Sequence, residues 1–377
     1  MKKIHIALVG AQPVPIYNGI RYINPDKVVY IYSEDTRDAL KRLEEEVNIE
    51  SEKIKLNPVE MTDIEKNVQE LADSFSNNDI SINISGGTKA WTYFFIEHFG
   101  KKQNATIFYV DQNNTIWDMT NKTKTPIPFD MDSHFRLYGN PLKHYVKFAD
   151  YTEADFKSMQ TLERMRRKNY EDFNNLTTQL SKKWANKLTN QKNGKFPLDN
   201  GSYVEWEKEE FVRLVLKTRL GFEEQKLESP NAVSLAFNSG WFEYKIARMI
   251  SKWKHSKEIR MNCIFPPRFD GKENIKFPKN EVDIIVDTGF KPLFVECKTK
   301  IFSSNDIDKF RTVVKNYGGM GSKALFVTEV KMTDTQKEKC EESGIISFSL
   351  QDEHRRLPVE IALYQLLEKE LFGINIK

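Results

Sequence analysis

Two apolar runs divided by a tight turn set the strongest limit on how this chain can fold. Asn280-Glu281-Val282-Asp283-Ile284-Ile285-Val286-Asp287 and Phe294-Val295-Glu296-Cys297-Lys298 flank a turn at Asp287-Thr288-Gly289. Strand-favouring segments on either side of such a turn predict a β-hairpin. Residues two apart on a strand share a face, so Glu296 and Lys298 project together and the hairpin sets that face beside Asp283. A charge on a half-buried strand needs a partner or an ion. Two carboxylates suit a hard divalent cation such as Mg²⁺. A lysine beside that cation can hold or deprotonate a water, or offset charge on a phosphate. The pattern fits metal-assisted phosphodiester hydrolysis; a surface strand with a cross-strand ion pair would carry the same letters.

Upstream, Asn238-Ser239-Gly240-Trp241-Phe242-Glu243-Tyr244-Lys245-Ile246-Ala247-Arg248-Met249-Ile250 reads as a helix. Phe242, Ile246, Met249 and Ile250 fall at helical spacing, Ser239 is placed to cap the helix, and Glu243 lies next to the apolar stripe. Downstream come a charged helix from Asp306 to Asn316, a break at Gly318-Gly319 and a strand at Ala324-Leu325-Phe326-Val327-Thr328. This order of helix, hairpin, helix and strand resembles the PD-(D/E)xK nuclease superfamily. The resemblance implies Glu243, Asp283 and Glu296 as ligands of Mg²⁺ or Mn²⁺, with Cys297 offering its backbone carbonyl. It implies Asp283, Glu296 and Lys298 as the catalytic set. Val282 stands where the family often has proline.

Composition narrows the class. A chain of 377 residues with 39% hydrophobic and 29% charged residues is expected to form two or more soluble domains. The apolar run Ile4 to Val9 is too short for a signal peptide, and no run is long enough to span a bilayer. Cys263, Cys297 and Cys340 are scattered, which argues against a disulfide framework or a thiolate zinc site. A cytoplasmic protein without membrane contact is expected. Residues 1–150 hold 18 Lys and Arg against 21 Asp and Glu, and the remainder hold 39 against 33. The basic excess therefore lies in the half that carries the hairpin, as a polyanionic substrate would favour.

The amino-terminal half alternates strands and helices. Ile4 to Val9 runs into Gly10-Ala11-Gln12-Pro13; Lys27 to Tyr32 ends at Ser33-Glu34-Asp35-Thr36 and precedes a helical stretch from Arg37 to Val47. Asp79 to Ile84 leads into Ser85-Gly86-Gly87-Thr88-Lys89 and an aromatic helix from Ala90 to Phe99, and Ala105 to Val110 ends at Asp111. Apolar strands alternating with helices indicate a doubly wound α/β sheet, whose ligands bind outside the carboxyl ends of the strands. Ser85-Gly86-Gly87-Thr88-Lys89 combines close-turning glycines, a helix amino terminus and a lysine, donors suited to phosphate. The Walker A spacing is absent.

In order, these strand ends resemble the CARF domain, the Rossmann-like sensor of cyclic oligoadenylates in type III CRISPR systems. A CARF domain followed by a PD-(D/E)xK domain is the layout of the CRISPR ancillary nucleases activated by cyclic tetra-adenylate. The resemblance implies an α/β chain: a CARF sensor over 1–145, a helical linker over 146–202 and a restriction-endonuclease-like domain over 203–377. It further implies a homodimer gripping a cyclic oligoadenylate with Ala11, Gln12, Pro13, Ser33, Ser85, Gly86, Gly87, Thr88, Lys89 and Asp111. The implied activity is cleavage of single-stranded DNA or RNA.

Between the halves, Thr152-Glu153-Ala154-Asp155 opens a helix expected to run toward Trp184, followed by a polar break from Asn186 to Ser202. The Arg166-Arg167-Lys168 and Lys182-Lys183-Trp184 clusters read as solvated helix faces, with nucleic-acid contact the alternative. Trp91, Tyr93, Phe94 and Phe95 read as core or dimer packing. His134 and His144 lack any motif that would make them an acid/base pair. Two other functions stay open on the sequence: an ungated restriction- or repair-type nuclease, and a ligand-responsive regulator that binds nucleic acid without cutting it.

Overall fold

The computed structural model describes residues 1–179, 191–266, 280–301, 303–319, 321–352 and 355–374. The first sheet contains β1 (Lys3–Leu8), β2 (Lys27–Tyr32), β3 (Glu50–Lys55), β4 (Asp79–Asn83), β5 (Ala105–Val110), β6 (Thr115–Asp118) and β7 (Thr123–Pro126) in the order β3-β2-β1-β4-β5-β6-β7. The first five are parallel and the last two are added antiparallel. Helices Pro13–Ile23, Arg37–Glu46, Met61–Ser74 and Lys89–Phe99 make the crossovers. Ile6, Leu8, Ile31 and Ile82 pack with Trp91 and Phe95 on one face. Ala7, Val9, Val28 and Tyr30 pack with Ile16 and Leu43 on the other. Burial on both faces explains why β1, β2 and β5 read as mostly apolar runs. β3 breaks that rule because it is an edge strand: its Glu-Ser-Glu-Lys start is exposed and Lys27 reaches Glu52 at 2.7 Å. Charge on an edge blunts strand-to-strand association and hides the strand from a hydrophobicity reading.

After helix Met131–Leu137 the chain enters β8 (His144–Lys147), then a four-stranded antiparallel meander of β9 (Asn193–Pro197), β10 (Tyr203–Glu207), β11 (Phe211–Thr218) and β12 (Gly221–Leu227). β9 occupies part of the segment expected to be a polar break; its alternating exposure gives it no apolar signature. Residues 186–190 of that break, and Lys182-Lys183-Trp184, lie outside the described residues. A six-stranded sheet follows, with β13 (Glu258–Phe265), β14 (Asn280–Asp287), β15 (Pro292–Lys298), β16 (Lys323–Thr328) and β17 (Ile345–Ser349) in the order β17-β16-β15-β14-β13-β8. β8 therefore belongs to this six-stranded sheet, called the second sheet as distinct from the meander, where it pairs with β13. The Glu153–Lys168 helix is started by a reciprocal capping box between Thr152 and Asp155 and stops at Asn169. Its Met159, Leu162 and Met165 join Phe242, Ile246 and the hairpin residues Ile284 and Val295 in one core. Arg166 departs from the expected solvated face: it is 8% exposed and paired with Glu329 at 2.8 Å, because the helix lays this side against the sheet. No helix among the described residues is long and apolar enough to cross a membrane.

The Met131–Leu137 helix ties the first sheet to the six-stranded one. Met131 and Phe135 are buried against Phe265, Val282 and Phe294 of the second sheet, and Arg260 holds Asp132 at 2.5 Å. His134 is 4% exposed and its Nε2 meets the Gly318 carbonyl at 2.7 Å. Burial lowers its pKa to about 4, the carbonyl offsetting this only partly. His5, fully buried in β1, is lowered to about 3 by the same desolvation. Unfolded, both bind protons near pH 6.5; folded, they stay neutral until the pH is far lower. Their contribution is thus complete above pH 6.5 and falls away as the pH drops from 6.5 to about 4 for His134 and to about 3 for His5. At pH 5 each should cost about 2 kcal/mol of stability. Thermal melts from pH 7.5 to 4.5 should show this decline, and His134→Gln should flatten it; an unaltered slope would assign the decline elsewhere.

Candidate active site and ligand cleft

Geometry in the second sheet gathers the hairpin charges at the carboxyl end of β15. The antiparallel ladder between β14 and β15 runs from Asp287–Pro292 to Ile284–Val295. Beyond it the Asp283 carboxylate takes the amide of Cys297 at 2.7 Å. β15 continues in register with β16 instead, Lys298 opposite Thr328. Asp283 is thereby held over the strand that carries Glu296 and Lys298. The Lys298 ammonium stands 2.5 Å from Glu296 Oε1 and 3.8 Å from Asp283 Oδ2.

Glu243 comes from the Gly240–Ser251 helix, which buries Trp241, Phe242, Ile246 and Ile250. Ser239 does not cap this helix with its side chain as expected. It enters in the left-handed region at φ 65°, and its carbonyl accepts from Phe242 and Glu243. Gly240 is required next to it, since a Cβ would sit 2.0 Å from the Ser234 carbonyl oxygen.

Burial is the largest influence on the acids, and their mutual repulsion adds to it. Desolvation, then Asp283, push Glu243 well above the ordinary carboxylate range, with Lys298 opposing. Glu296 is pushed up to about 8 by burial and by Asp283. Burial opposes the charged form of Lys298, but Asp283 and Glu296 outweigh it and hold the ammonium protonated. Cys297 is 3% exposed and burial raises its thiol far above the usual value, so the side chain offers no thiolate.

One ammonium is too little positive charge to hold all three acids ionised, as the raised Glu243 and Glu296 show, and oxygen donors suit Mg²⁺ or Mn²⁺. The donors fit such an ion in kind. As they stand, no three His, Cys, Asp or Glu side chains among the described residues are close enough to enclose one. Lys298 occupies the space between Asp283 and Glu296, so gathering the acids on an ion requires it to release Glu296.

In the first sheet the strand order reverses between β1 and β4, the crevice where α/β sheets bind ligands. Gly10 and Gly86 meet there: a Cβ on Gly86 would lie 2.3 Å from the Leu8 carbonyl oxygen and 2.8 Å from the Gly10 nitrogen. Gly87 has φ +74° and lies on the Trp91 ring. Thr88 caps the Lys89–Phe99 helix, its hydroxyl oxygen accepting from the Trp91 amide at 3.2 Å. Lys89, Gly87 and Ala11 are exposed, and Pro13 is buried at the start of its helix.

Other named residues are engaged within the fold. Ser85 donates to Asn83 at 2.5 Å and accepts from the Val110 amide at 2.7 Å. Asp111 accepts from the amides of Asn113 and Thr115 and from the Trp117 indole, which fixes the β5–β6 turn. Ser33 lines a separate shallow cleft of about 360 Å³ with Lys55, Asn57 and Pro58. Gln12 accepts a hydrogen bond from the Tyr138 hydroxyl. Tyr138 also packs where a side chain on Gly319 would collide with its ring. Neither Tyr138 nor Asn57 carried a sequence signal, because each lies in a polar connection whose partner comes from elsewhere in the chain.

Residues 4–137 match the family model of the Card1 CARF domain, so the chain has a CARF domain at its amino terminus. No relative among the curated proteins matches the chain. Among solved structures, Can2 from Sulfobacillus thermosulfidooxidans in complex with cyclic tetra-adenylate is similar at TM-score 0.63 and 19% identity, covering 98% of this chain and 99% of that one. VC1899 from Vibrio cholerae is similar at TM-score 0.71 and 14% identity, covering 98% of each chain. A type III CRISPR defence DNA nuclease activated by cyclic oligoadenylate is similar at TM-score 0.59 and 14% identity, covering 97% of this chain and 51% of that one. At these identities the likeness is one of fold: a mixed α/β architecture shared along nearly the whole chain.

Proposed function

Starting from the amino-terminal CARF domain, we propose that this chain is a divalent-metal-dependent nuclease. A cyclic oligoadenylate, most simply cyclic tetra-adenylate, switches it on, and it cuts single-stranded DNA or RNA in type III CRISPR antiviral defence. The carrying observation is the Lys298 ammonium set among Asp283, Glu296 and Glu243 at one strand end. Such buried acids have no use in a protein that only reads nucleic acid. The fold shared with Can2 bound to cyclic tetra-adenylate supports the choice of activator.

Asp283, Glu296, Glu243 and the Cys297 carbonyl would hold the metal, which supplies Lewis-acid polarisation of the phosphate and a more acidic bound water. Asp283, fixed by the Cys297 amide, sets where the ligands converge. Lys298, kept protonated by its neighbours, orients the attacking water and offsets charge building on the phosphate. Two copies related by a two-fold axis would face their strand-end crevices across a symmetric ring, with Lys89 and the Gly86–Gly87 amides turned to its phosphates. The ring acts only through its differential affinity for one arrangement of the copies. Tyr138 and His134 would carry the difference, since they join Gln12 to the Gly318–Gly319 break beside the second sheet.

The direct test incubates the protein with Mn²⁺ and labelled single-stranded DNA and RNA, with and without cyclic tetra-adenylate. Cleavage requiring both supports the reading. Cleavage with metal alone would remove the sensor role, and no cleavage with any ring size would remove the nuclease. Lys89→Ala should raise the half-activating ring concentration roughly tenfold, the loss of one charged hydrogen bond; unchanged activation would take Lys89 out of the site. Tyr138→Phe should leave ring affinity within a few-fold and cut the activation ratio about fivefold or more, the lower range of allosteric couplings. An unchanged ratio would rule out that route.

A further inference from the structure

A second cleft, of about 660 Å³, opens at the carboxyl ends of β16 and β17, lined by Glu163, Arg166, Arg167, Tyr170, Lys245 and Glu329 among others. It borders the acid cluster. The Glu329 amide donates to the Lys298 carbonyl at 3.1 Å.

Charge in this cleft is balanced. Arg167 and Lys245 share the Glu163 carboxylate at 2.6 and 2.8 Å, and Arg166 pairs with Glu329 at 2.8 Å. Glu360, also in the lining, offsets the remaining cation. A phosphate would find little net attraction there, but a neutral, flat, hydrogen-bonding group would fit. Tyr170 leaves 54% of its surface exposed while the Arg166 guanidinium covers its ring at 4.7 Å, giving a braced platform with open area. Glu329 is 9% exposed; its Oε1 serves Arg166 and its Oε2 has no hydrogen-bond partner. Native structures leave few buried acceptors without a donor, so this oxygen points to a missing ligand group.

We propose that this cleft seats one base of the substrate strand beside the scissile phosphate. The inference rests on the nuclease reading. Tyr170 stacks on the base, and Glu329 Oε2 accepts from its exocyclic amino group. A carboxylate can only accept, and the pairing edge of thymine or uracil sets one N–H between two carbonyls that would repel it. Adenine, cytosine and guanine, which carry amino groups, are therefore favoured at this position.

The test maps cut sites in randomised single-stranded DNA and RNA with the full-length protein, Mn²⁺ and cyclic tetra-adenylate. Thymine or uracil should be depleted about tenfold at one position flanking the cut, the discrimination of a good base contact. Glu329→Gln keeps its oxygen on Arg166 and turns its amide N–H groups toward the base, so it should erase that depletion; losing one charge of the buried pair lowers the melting temperature while the circular-dichroism spectrum stays that of the parent. Tyr170→Ala should weaken binding about tenfold for every base and leave the preference intact, as loss of stacking does. No depletion in the parent protein, or the same depletion after Glu329→Gln, overturns the proposal.

A parallel arm separates it from the nuclease reading. Anisotropy with the Glu296→Gln protein compares short oligo-dC and oligo-dT. A preference for dC that Glu329→Gln removes sustains the base subsite even if the parent cuts nothing, and equal affinities reject it.

Discussion

Lys298→Ala is expected to lower metal- and ring-dependent cleavage by roughly 100- to 1,000-fold, the usual cost of removing one preorganised group from a transition state. Two distinct losses combine in that figure. The attacking water loses its orienting donor, and the phosphate loses the cation next to its developing charge. Ring binding, measured separately, should stay within twofold of the parent, because Lys298 and the Gly10–Gly86 crevice belong to different sheets. The substitution also strips Asp283 and Glu296 of the ammonium at 3.8 and 2.5 Å. Leaving a half-buried carboxylate pair without its cation should cost about 3 kcal/mol in metal-free buffer. Mn²⁺ should therefore raise the melting temperature of the variant more than that of the parent. Retained cleavage would remove Lys298 from the mechanism. Loss of cleavage together with ring binding would indicate that the chain had failed to fold.

Gly86→Ala is the second large effect. The new methyl would lie 2.3 Å from the Leu8 carbonyl oxygen and 2.8 Å from the Gly10 nitrogen, both backbone atoms of the central strand and its turn. No side-chain rotation relieves such contacts, so β1 and β4 must part at the crevice. A cost of about 3 kcal/mol is expected, at the upper end for overpacking a tight site. Ring binding should be lost at concentrations that saturate the parent. Any cleavage driven by metal alone should persist, since the second sheet is built on a separate core. Normal ring affinity in Gly86→Ala would mean that the ligand lies elsewhere on the sheet.

The parallel strands of the first sheet were readable from their letters because both faces are buried. β1, β2 and β5 are mostly apolar and β4 carries Ile80 and Ile82, and β3 was missed because its exposed edge is made of Glu, Ser and Lys. The hairpin was readable for a related reason: Val282, Ile284, Ile285 and Val286 are wholly buried, so charges among them stand out. Ser239 shows where local reading fails. Its letter fits a cap, but the helix entry is dictated by the close approach of Gly240 to Ser234, a contact between segments. Arg166 fails for the same reason, since its partner Glu329 lies 163 residues away.

Local sequence determined the alternation of strands and helices, the glycine turns at the strand ends, and the acid–lysine pattern of the hairpin. Each rests on periodicity or backbone freedom within a few residues. Only the tertiary structure decided which groups meet across the chain: that Asp283 takes the Cys297 amide, that Arg166 finds Glu329, that Tyr138 reaches Gln12, and that Glu329 keeps one buried oxygen unpaired. Those pairings depend on strand register and on segments brought together across more than a hundred residues, and no local property of the chain encodes either.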